Sequence, residues 1–280
     1  MAVSSMKDIK LRIKSIQGTR QITKAMQLVA SSKLRRAKEK MEQSIPYNDT
    51  LDELINKLSL NPQKDESIFF SGRETKKVCH CIIAGDRGLA GGYNTNAFKE
   101  AINHINSRET ETVILPIGKK AIEFFKKKYA VLDEMYSDAS DISIGTCYNL
   151  GNILCEKYLS GEFDELYVTY TKYKNVLHQD PVTVKVLPLP QSSDEKRSQL
   201  NYESGFCSVV KHAVPMYISS IIHTGVCQSY ASELTARQNA MDTATGNADE
   251  MLEQLQLQYN RVRQAGITQE ITEIVAGANM

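Results

Sequence analysis

The sequence predicts an α/β protein with one long helix at each end and an open α/β domain between them. From Met6 to Ile45 there is no proline and only one glycine, Gly18. From Met216 to Ala276, 61 residues contain no proline and three glycines. A helix of that second length would reach roughly 90 Å, whereas a compact domain of this size has a radius of gyration of about 19 Å. We therefore expect the two helices to pack on each other as an antiparallel two-helix coiled coil that projects from the body.

The first helix is expected to begin near Ser4 or Ser5, because a serine hydroxyl can accept a hydrogen bond from the free amides of the first turn. Pro46 can kink a helix at this point, but the apolar pattern resumes after it and ends at Asn61-Pro62. Before Pro46, apolar residues recur at steps close to three and four, which predicts one buried face: Ile9, Ile13, Ile16, Ile22, Met26, Val29, Leu34 and Met41.

The middle of the chain alternates strands with helices after a charged loop at 63–75, which is typical of an open, Rossmann-like α/β sheet. The last two strands alternate apolar with polar residues and predict an antiparallel pair near an edge of the sheet. In chain order the predicted elements are strand Lys77–Ala84, helix Thr95–Ile105, strand Thr112–Ile117, helix 119–128, strand Val131–Met135, helix Ile144–Leu159, strands Glu165–Tyr173 and Val182–Pro188, and a polar linker at 189–201.

The last helix is expected to start between Tyr202 and Pro215, because proline is well tolerated in a first helical turn. Its late apolar stripe has heptad-like steps, which suit a left-handed two-helix coil: Met241, Ala244, Ala248, Leu252, Leu255, Tyr259 and Val262. The predicted division is therefore a coiled-coil helix over 1–62, a Rossmann-like α/β domain over 63–201 and a second coiled-coil helix over 202–280.

The six cysteines form no CxxC pair. Cys79 and Cys81 would share one face of a strand, with His80 on the other face, and this geometry does not suit a metal site. We expect reduced, buried thiols, and neither a metal nor a cofactor. The basic, amphipathic N-terminus also allows a transit peptide, but Asp8 and the unbroken helical pattern favour a part of the fold.

The net charge of +1 hides an asymmetry between the two ends. Residues 7–40 carry eleven basic against two acidic residues, a net charge of +9, whereas residues 216–280 carry three against seven, a net charge of −4. The basic helix could bind nucleic acid through its phosphates. However, no aromatic residue for base stacking falls between Met1 and Ile45. A solvated face and an acidic protein partner stay open.

A glycine-rich segment, Gly85-Asp86-Arg87-Gly88-Leu89-Ala90-Gly91-Gly92, follows the first predicted strand and precedes a helix. Nucleotide phosphates bind at this place in doubly wound folds. The segment lacks the lysine of a P-loop and the GxGxxG spacing. A structural turn that uses the conformational freedom of glycine is therefore favoured over a ligand site.

Catalysis finds little support in the residues. The five histidines are scattered without a neighbouring acid at a recurring spacing, and no serine or cysteine has an obvious base. The chain is not expected to be an enzyme by itself.

Three separated segments carry a resemblance to a known family: ITKAMQLVASSKL from Ile22, GDRGLAGGYN from Gly85 and YNRVRQAGITQEITEIV from Tyr259. All three resemble the gamma subunits of the F-type ATP synthase of bacteria. The resemblance implies a non-catalytic rotor shaft inside a ring of three alpha and three beta subunits, where the catalytic sites lie. Its rotation would couple ion flow through the membrane-embedded c-ring to ATP synthesis or hydrolysis.

The resemblance also implies roles for particular residues. Six positions match those that couple the shaft to the ring: Met26, Arg237, Gln264, Thr268, Ile274 and Val275. A second group would lie at the foot, facing the c-ring: Lys33, Leu34, Arg35, Arg36, Lys38 and Tyr202. The implied partners are the alpha and beta subunits, the epsilon subunit and the c-ring, without nucleic acid, and the implied location is the cytoplasmic face of the cell membrane, held there only through the complex.

Overall fold

Two long helices lie at the ends of the chain in the computed structural model, which describes residues 6–61, 63–64, 67–108, 110–132, 136–191 and 205–278. Helix α1 spans Met6–Ser59 and helix α6 spans Phe206–Ala278. Both continue through a proline, Pro46 in α1 and Pro215 in α6. The predicted start of the last helix, between Tyr202 and Pro215, is confirmed. No helix within the described residues has the length and apolarity that a membrane crossing requires.

Contacts within the chain group its residues into two compact units. The terminal unit comprises the residues up to Ser31 and those from Arg237 onward, and the central unit comprises Ser32–Ala236. Each unit therefore contains a segment of α1 and a segment of α6. The three-part division over 1–62, 63–201 and 202–280 stays a prediction.

In the terminal unit the two helices run antiparallel. Thr23 Oγ1 and Thr245 Oγ1 lie 2.8 Å apart, and Gln27 Nε2 donates to Asp242 Oδ1 at 2.6 Å. Arg20 forms an ion pair with Asp249. Residue numbers thus rise along α1 as they fall along α6, and the predicted antiparallel helix pair is confirmed here. The Arg20–Asp249 pair is half-exposed, so it contributes at most about 1 kcal/mol, and packing at the contact between the helices dominates.

The face of α1 that contacts α6 differs from the predicted one. Ile22 and Val29 are 62% and 56% exposed, so their assignment to the buried face is wrong. Thr23 and Ala30 lie inside instead, at 8% and 2% exposure. The reason is a seven-residue repeat of inward positions that includes small and hydroxyl side chains: Ile9, Ile16, Thr23 and Ala30.

The matching stripe on α6 is confirmed. Met241 and Ala248 are buried, and the remaining predicted positions are half-buried: Ala244, Leu252, Leu255, Tyr259 and Val262. The hydroxyl of Thr245 also donates to the carbonyl of Met241 at 2.7 Å, and that of Thr23 to the carbonyl of Arg20 at 3.0 Å. Both buried hydroxyls are thus hydrogen-bonded, which removes most of the cost of burying them.

The central unit contains a five-stranded sheet of order β3-β2-β1-β4-β5. Strands β1 to β4 are parallel, and the edge strand β5 is antiparallel to β4, as predicted. The elements between α1 and α6 are α2 Ile68–Ser71, β1 Lys77–Ile83, α3 Tyr93–Asn106, β2 Glu111–Ile117, α4 Lys119–Phe125, β3 Ala130–Val131, a 3₁₀ turn Ala139–Asp141, α5 Ile144–Ser160, β4 Glu165–Tyr173 and β5 Gln179–Leu187.

Several details differ from the sequence prediction, including the start of β5 at Gln179 rather than Val182. The loop at 63–75 contains the short helix α2, in which Phe69 and Phe70 are buried. Helix α4 ends at Phe125 rather than at 128. Strand β3 has two residues, and the predicted extension to Met135 lies outside the described residues. The linker prediction is tested only at its start, where Leu189 is buried and donates to the carbonyl of Phe69 at 2.7 Å; residues 192–204 lie outside the described residues.

Both faces of the sheet are covered. Cys79, Cys81 and Ile83 of β1 belong to a core with α2, α5 and the central-unit segments of α1 and α6. Ile82 packs against α3 and α4 on the other face. The predicted alternation, with both cysteines on one face, is confirmed, and four of the six free cysteines are buried: Cys79, Cys81, Cys147 and Cys155. Among the described residues, no group of three or more His, Cys, Asp or Glu side chains could hold a metal ion.

The central-unit segments of α1 and α6 are also antiparallel. Ser220 Oγ donates to Asn48 Oδ1 at 2.7 Å, and Thr224 Oγ1 to the carbonyl of Ser44 at 3.4 Å. Their contact forms a separate small core of Leu34, Ala37, Met41, Ala231 and Leu234.

A polar and aromatic cluster lies on the α3 side of β1. His80 is 1% exposed, and its ring stacks on Tyr167 and meets His104 edge-on, at centroid distances of 5.3 and 5.0 Å. Burial, and then the charges of His104 and Arg108, lower the pKa of His80 to about 3. Burial alone would raise the pKa of Glu165, but its bonds to Lys185 at 2.6 Å and Tyr167 at 2.9 Å, with the nearby charge of Arg108, lower it.

Ala30→Leu should destabilise the helix pair of the terminal unit. The 2% exposed methyl group of Ala30 leaves no room for three more carbons, and overpacking typically costs about 1–3 kcal/mol. Denaturant unfolding followed by circular dichroism measures the effect. Val29→Ala, at a 56% exposed position, serves as the control and should change the free energy of unfolding by less than about 0.5 kcal/mol. Equal effects of both substitutions would contradict the assignment of the buried face.

Acidification should destabilise the central unit through His80. Its folded pKa of about 3 lies below the value of about 6.5 for an unfolded histidine, so the unfolded chain takes up the proton first. The stabilisation from neutral His80 is complete above pH 6.5 and is lost as the pH falls towards 3; it amounts to about 2 kcal/mol between pH 6.5 and pH 5. His80→Phe should flatten this slope in urea titrations at several pH values, whereas His178→Gln, at an exposed position, should not.

Candidate functional site

The C-terminal part of α6 carries a set of exposed apolar side chains in the terminal unit. Ile267, Ile271, Ile274 and Val275 are 47%, 56%, 71% and 55% exposed. The predicted coupling residues Ile274 and Val275, together with Ile271, thus lie on a surface that a partner can reach. Contiguous exposed apolar surface marks interaction sites on soluble proteins.

Helix α1 carries a second exposed apolar set in the same unit. Leu11, Ile22, Leu28 and Val29 are between 56% and 62% exposed. Since Ile9, Thr23 and Ala30 already face α6, this segment of α1 is apolar on more than one side. Apolar residues outside the face that contacts α6 are available to another chain. The seven-residue spacing of the inward positions was the sequence signal that would have assigned Ile22 and Val29 to the exposed side of α1.

The other predicted coupling residues also lie in the terminal unit. Gln264 and Thr268 are exposed, and the Thr268 hydroxyl donates to the carbonyl of Gln264 at 3.0 Å, so the structure brings them together on one helical turn. Met26 and Arg237 are half-buried.

The predicted foot residues on α1 lie in the central unit and point in different directions. Lys33, Arg35 and Arg36 are exposed. Leu34 is 8% exposed and packs in the helix–helix core, so its side chain offers little surface to a partner. The ammonium of Lys38 lies 5.1 Å from the centre of the Tyr173 ring. Tyr202 lies outside the described residues.

The glycine loop, Gly85–Gly92, joins the end of β1 to α3 and is held by bonds within the chain. The amide of Gly85 donates to Asn94 Oδ1 at 2.9 Å. The carboxylate of Asp86 accepts hydrogen bonds from the amides of Lys119 and Ala139 at 3.2 Å and of Ser140 at 3.3 Å. Arg87 and Gly88 are exposed. Leu89 and Gly91 have positive φ values of 61° and 55°, a conformation that glycine adopts easily and that is uncommon for leucine.

A buried acid faces the loop. Glu233 of α6 is 5% exposed, and a Cβ atom built on Gly85 would lie 2.8 Å from its carboxyl carbon and 2.9 and 3.0 Å from its two oxygens. The sheet order reverses between β1 and β4, so Gly85 lies at the place where doubly wound folds bind phosphates. A carboxylate there repels an anion, and this observation argues against nucleotide binding by the loop.

Sequence reasoning missed Glu233 and its neighbours Ser229 and Ser232. The available signal was a group of polar residues within four positions, in a stretch of α6 where Ala231 and Leu234 are apolar. Burial raises the pKa of Tyr93 of α3 strongly, and the carboxylate of Glu233 raises it further.

Comparison with known proteins identifies the family. A family model described as ATP synthase matches residues 5–280. The ATP synthase gamma chain of Alkaliphilus metalliredigens is 41% identical over 98% of this chain and 97% of its own length. The chain belongs to the ATP synthase gamma-chain family. The sodium ion specific gamma chain of Acetobacterium woodii is 37% identical over 98% of both chains.

Solved structures agree in fold. A chain of the Euglena gracilis mitochondrial ATP synthase superposes with a TM-score of 0.67 at 17% identity, over 98% of this chain and 93% of that one. A chain of the central stalk and c-ring of the Tetrahymena thermophila mitochondrial ATP synthase gives a TM-score of 0.60 at 19% identity, over 80% and 99%. The predicted fold class, the resemblance and the function of a non-catalytic gamma subunit are thereby confirmed.

Proposed function

We propose that this gamma chain works as a rotor shaft, with its terminal unit turning inside a ring of three alpha and three beta subunits. Rotation couples ion flow through the membrane c-ring to ATP synthesis or hydrolysis at the beta subunits. Family membership supports the subunit type, and the similar solved structures are those of a central stalk with its c-ring and of a rotor.

The observation that carries the proposal is the apolar surface left exposed on both helices of the terminal unit. It comprises Leu11, Ile22, Leu28 and Val29 on α1 and Ile267, Ile271, Ile274 and Val275 on α6. A pair of helices that already bury one face against each other has no need of further apolar positions for its own stability. A sleeve of other subunits around the helix pair explains these residues, because it removes their apolar surface from water. Apolar contacts of this kind do not fix the helix pair in one hydrogen-bonded orientation.

The charges of the same unit favour acidic surroundings. Residues 7–24 contain six basic side chains, all exposed, against one acid, Asp8. Of these six, Arg20 pairs with Asp249 of α6. We propose that the basic side of α1 meets acidic elements of the beta subunits. The attraction depends on the angle of rotation, because α6 carries exposed acids, among them Glu250 and Glu270, where α1 is basic.

Rotation can drive chemistry only through a difference in interaction free energy. A shaft shifts a beta subunit between an open and a closed state by interacting differently with the two. Changing the ratio of closed to open states of one subunit from 1:99 to 99:1 requires about 5.5 kcal/mol of difference in interaction free energy. A helix pair that is basic on one side and acidic on the other presents a different face to each of three surrounding subunits and can supply this difference in turn.

The proposed contacts divide between the two units. In the terminal unit, Met26, Arg237, Gln264, Thr268, Ile274 and Val275 contact the ring. In the central unit, the exposed basic residues Lys33, Arg35 and Arg36, together with Lys38, face the c-ring, with Tyr202 as a further member of that group. Leu34 packs against α6 beneath them and holds this segment of α1 in place. We propose that the epsilon subunit binds the same assembly and that the chain is a peripheral protein at the cytoplasmic face of the cell membrane.

Met26→Lys should impair coupling more than assembly. The new positive charge enters a half-buried position of α1 next to Gln27, which already bonds Asp242. It therefore adds an attraction between the shaft and the acidic elements of a beta subunit that is strongest at one rotation angle. In membranes that carry the complex, the ratio of ion pumping to ATP hydrolysis should fall several-fold, with normal amounts of assembled complex. Met26→Leu keeps the volume without the charge and should behave like the parent. Parental pumping in the lysine variant would refute the role of Met26.

A pull-down tests the assembly itself. The tagged chain, purified under native conditions, should bring down three alpha and three beta subunits per copy, together with epsilon. Removing residues 264–280 takes away all four residues of the exposed apolar set of α6 and should weaken recovery of alpha and beta. Recovery of the chain alone from cells that contain all the other subunits would overturn the proposed function.

A further inference from the structure

We propose that the glycine loop serves as the receptor for Glu233, so that Glu233 of α6 is the positioning residue that fixes the rotation of this helix relative to the parallel sheet. The loop lies at the carboxyl end of β1, where the sheet order reverses. In doubly wound folds the phosphate of a bound nucleotide sits there. In this chain a carboxylate of the chain itself takes that position.

The geometry requires a glycine at the start of the loop. The Glu233 side chain is 5% exposed, and its carboxyl group would lie within 3.0 Å of a Cβ atom on Gly85. Gly85 does not have a positive φ value. Its lack of a side chain therefore serves the close approach of Glu233 rather than an unusual backbone conformation.

Two serines on the same side of α6 complete the attachment. Ser229 Oγ accepts the amide proton of Thr171 at 3.0 Å, and Ser232 Oγ donates to the carbonyl of Thr171 at 3.3 Å. Pairing of β4 with β1 ends at Ile82 and Thr169, so the backbone of Thr171 extends beyond its neighbouring strand. Helix α6 thus supplies the hydrogen bonds that a longer β1 would have made.

The three side chains contact two different elements, the end of β4 and the loop after β1. Rotation of α6 about its own axis would break both attachments together: it would move the Glu233 carboxylate away from the loop and leave the peptide groups of Thr171 without their bonds to the two serines. In the rotor function proposed above, on which this role rests, torque that passes along α6 then reaches the sheet instead of being lost in twisting of the helix.

Hydrogen–deuterium exchange on the assembled complex tests the attachment. Glu233→Gln removes the charge at nearly constant volume, and Gly85→Ala displaces the carboxylate without changing it. Each should raise exchange of the loop amides 85–92 by about tenfold, and the double variant should add little, because both changes break one contact. Gly88→Ala is the matched control, since a Cβ atom there meets nothing within 4 Å. Unchanged exchange in Gly85→Ala would overturn the proposal even if Glu233→Gln failed to fold.

The pumping-to-hydrolysis ratio separates positioning from simple stability. It should fall in Gly85→Ala and Glu233→Gln and stay at the parental value in Gly88→Ala and in Glu253→Gln, a change at an exposed position of α6. Faster loop exchange with a parental ratio would overturn the positioning role and leave the rotor function standing. If the parent chain itself did not assemble with alpha and beta subunits, the rotor function would fail. Exchange measured on the purified chain would then decide the Glu233 contact alone.

Discussion

The structure depends on a contact between α1 and α6 that repeats every seven residues. In the terminal unit the inward positions include Thr23 and Ala30 of α1, opposite a stripe of α6 that contains Met241, Thr245 and Ala248. Small side chains let the two backbones approach closely, and the hydroxyl groups of Thr23 and Thr245 both have hydrogen-bond partners within the helix pair. At Thr23 and Ala30 the contact therefore uses no large apolar residue of α1. Large apolar residues remain for the outer surface, where the proposed partners act.

The use of small and hydroxyl-bearing side chains at this contact explains where prediction from the sequence worked and where it failed. The order of strands and helices, the antiparallel edge pair and the separation of Cys79 and Cys81 from His80 followed from periodicity alone. The inward face of α1 did not, because Ile22 and Val29 are more apolar than Thr23 and Ala30. Apolarity indicates burial only when a chain is seen with all its partners. In a subunit of a larger complex, some apolar residues face another protein.

The candidate site divides in a similar way. The exposed tip residues Ile271, Ile274 and Val275 could be found from the resemblance of the last segment to its family. Glu233 could not be found in this way, because its partner Gly85 is 148 positions away in the sequence. The contact also depends on the absence of a side chain at Gly85, which leaves room for the carboxyl group of Glu233. A glycine whose role is to leave room for a distant residue carries no local signal, whereas a glycine in a turn often does.

The outward-facing Ile22, Leu28 and Val29 have a consequence for how the chain exists in the cell. A newly synthesised copy that has not assembled with the proposed ring exposes these apolar side chains to other proteins. Such a copy is prone to aggregate or to be recognised by chaperones and proteases. Synthesis in step with the proposed ring subunits would shorten the time for which this surface is exposed to water.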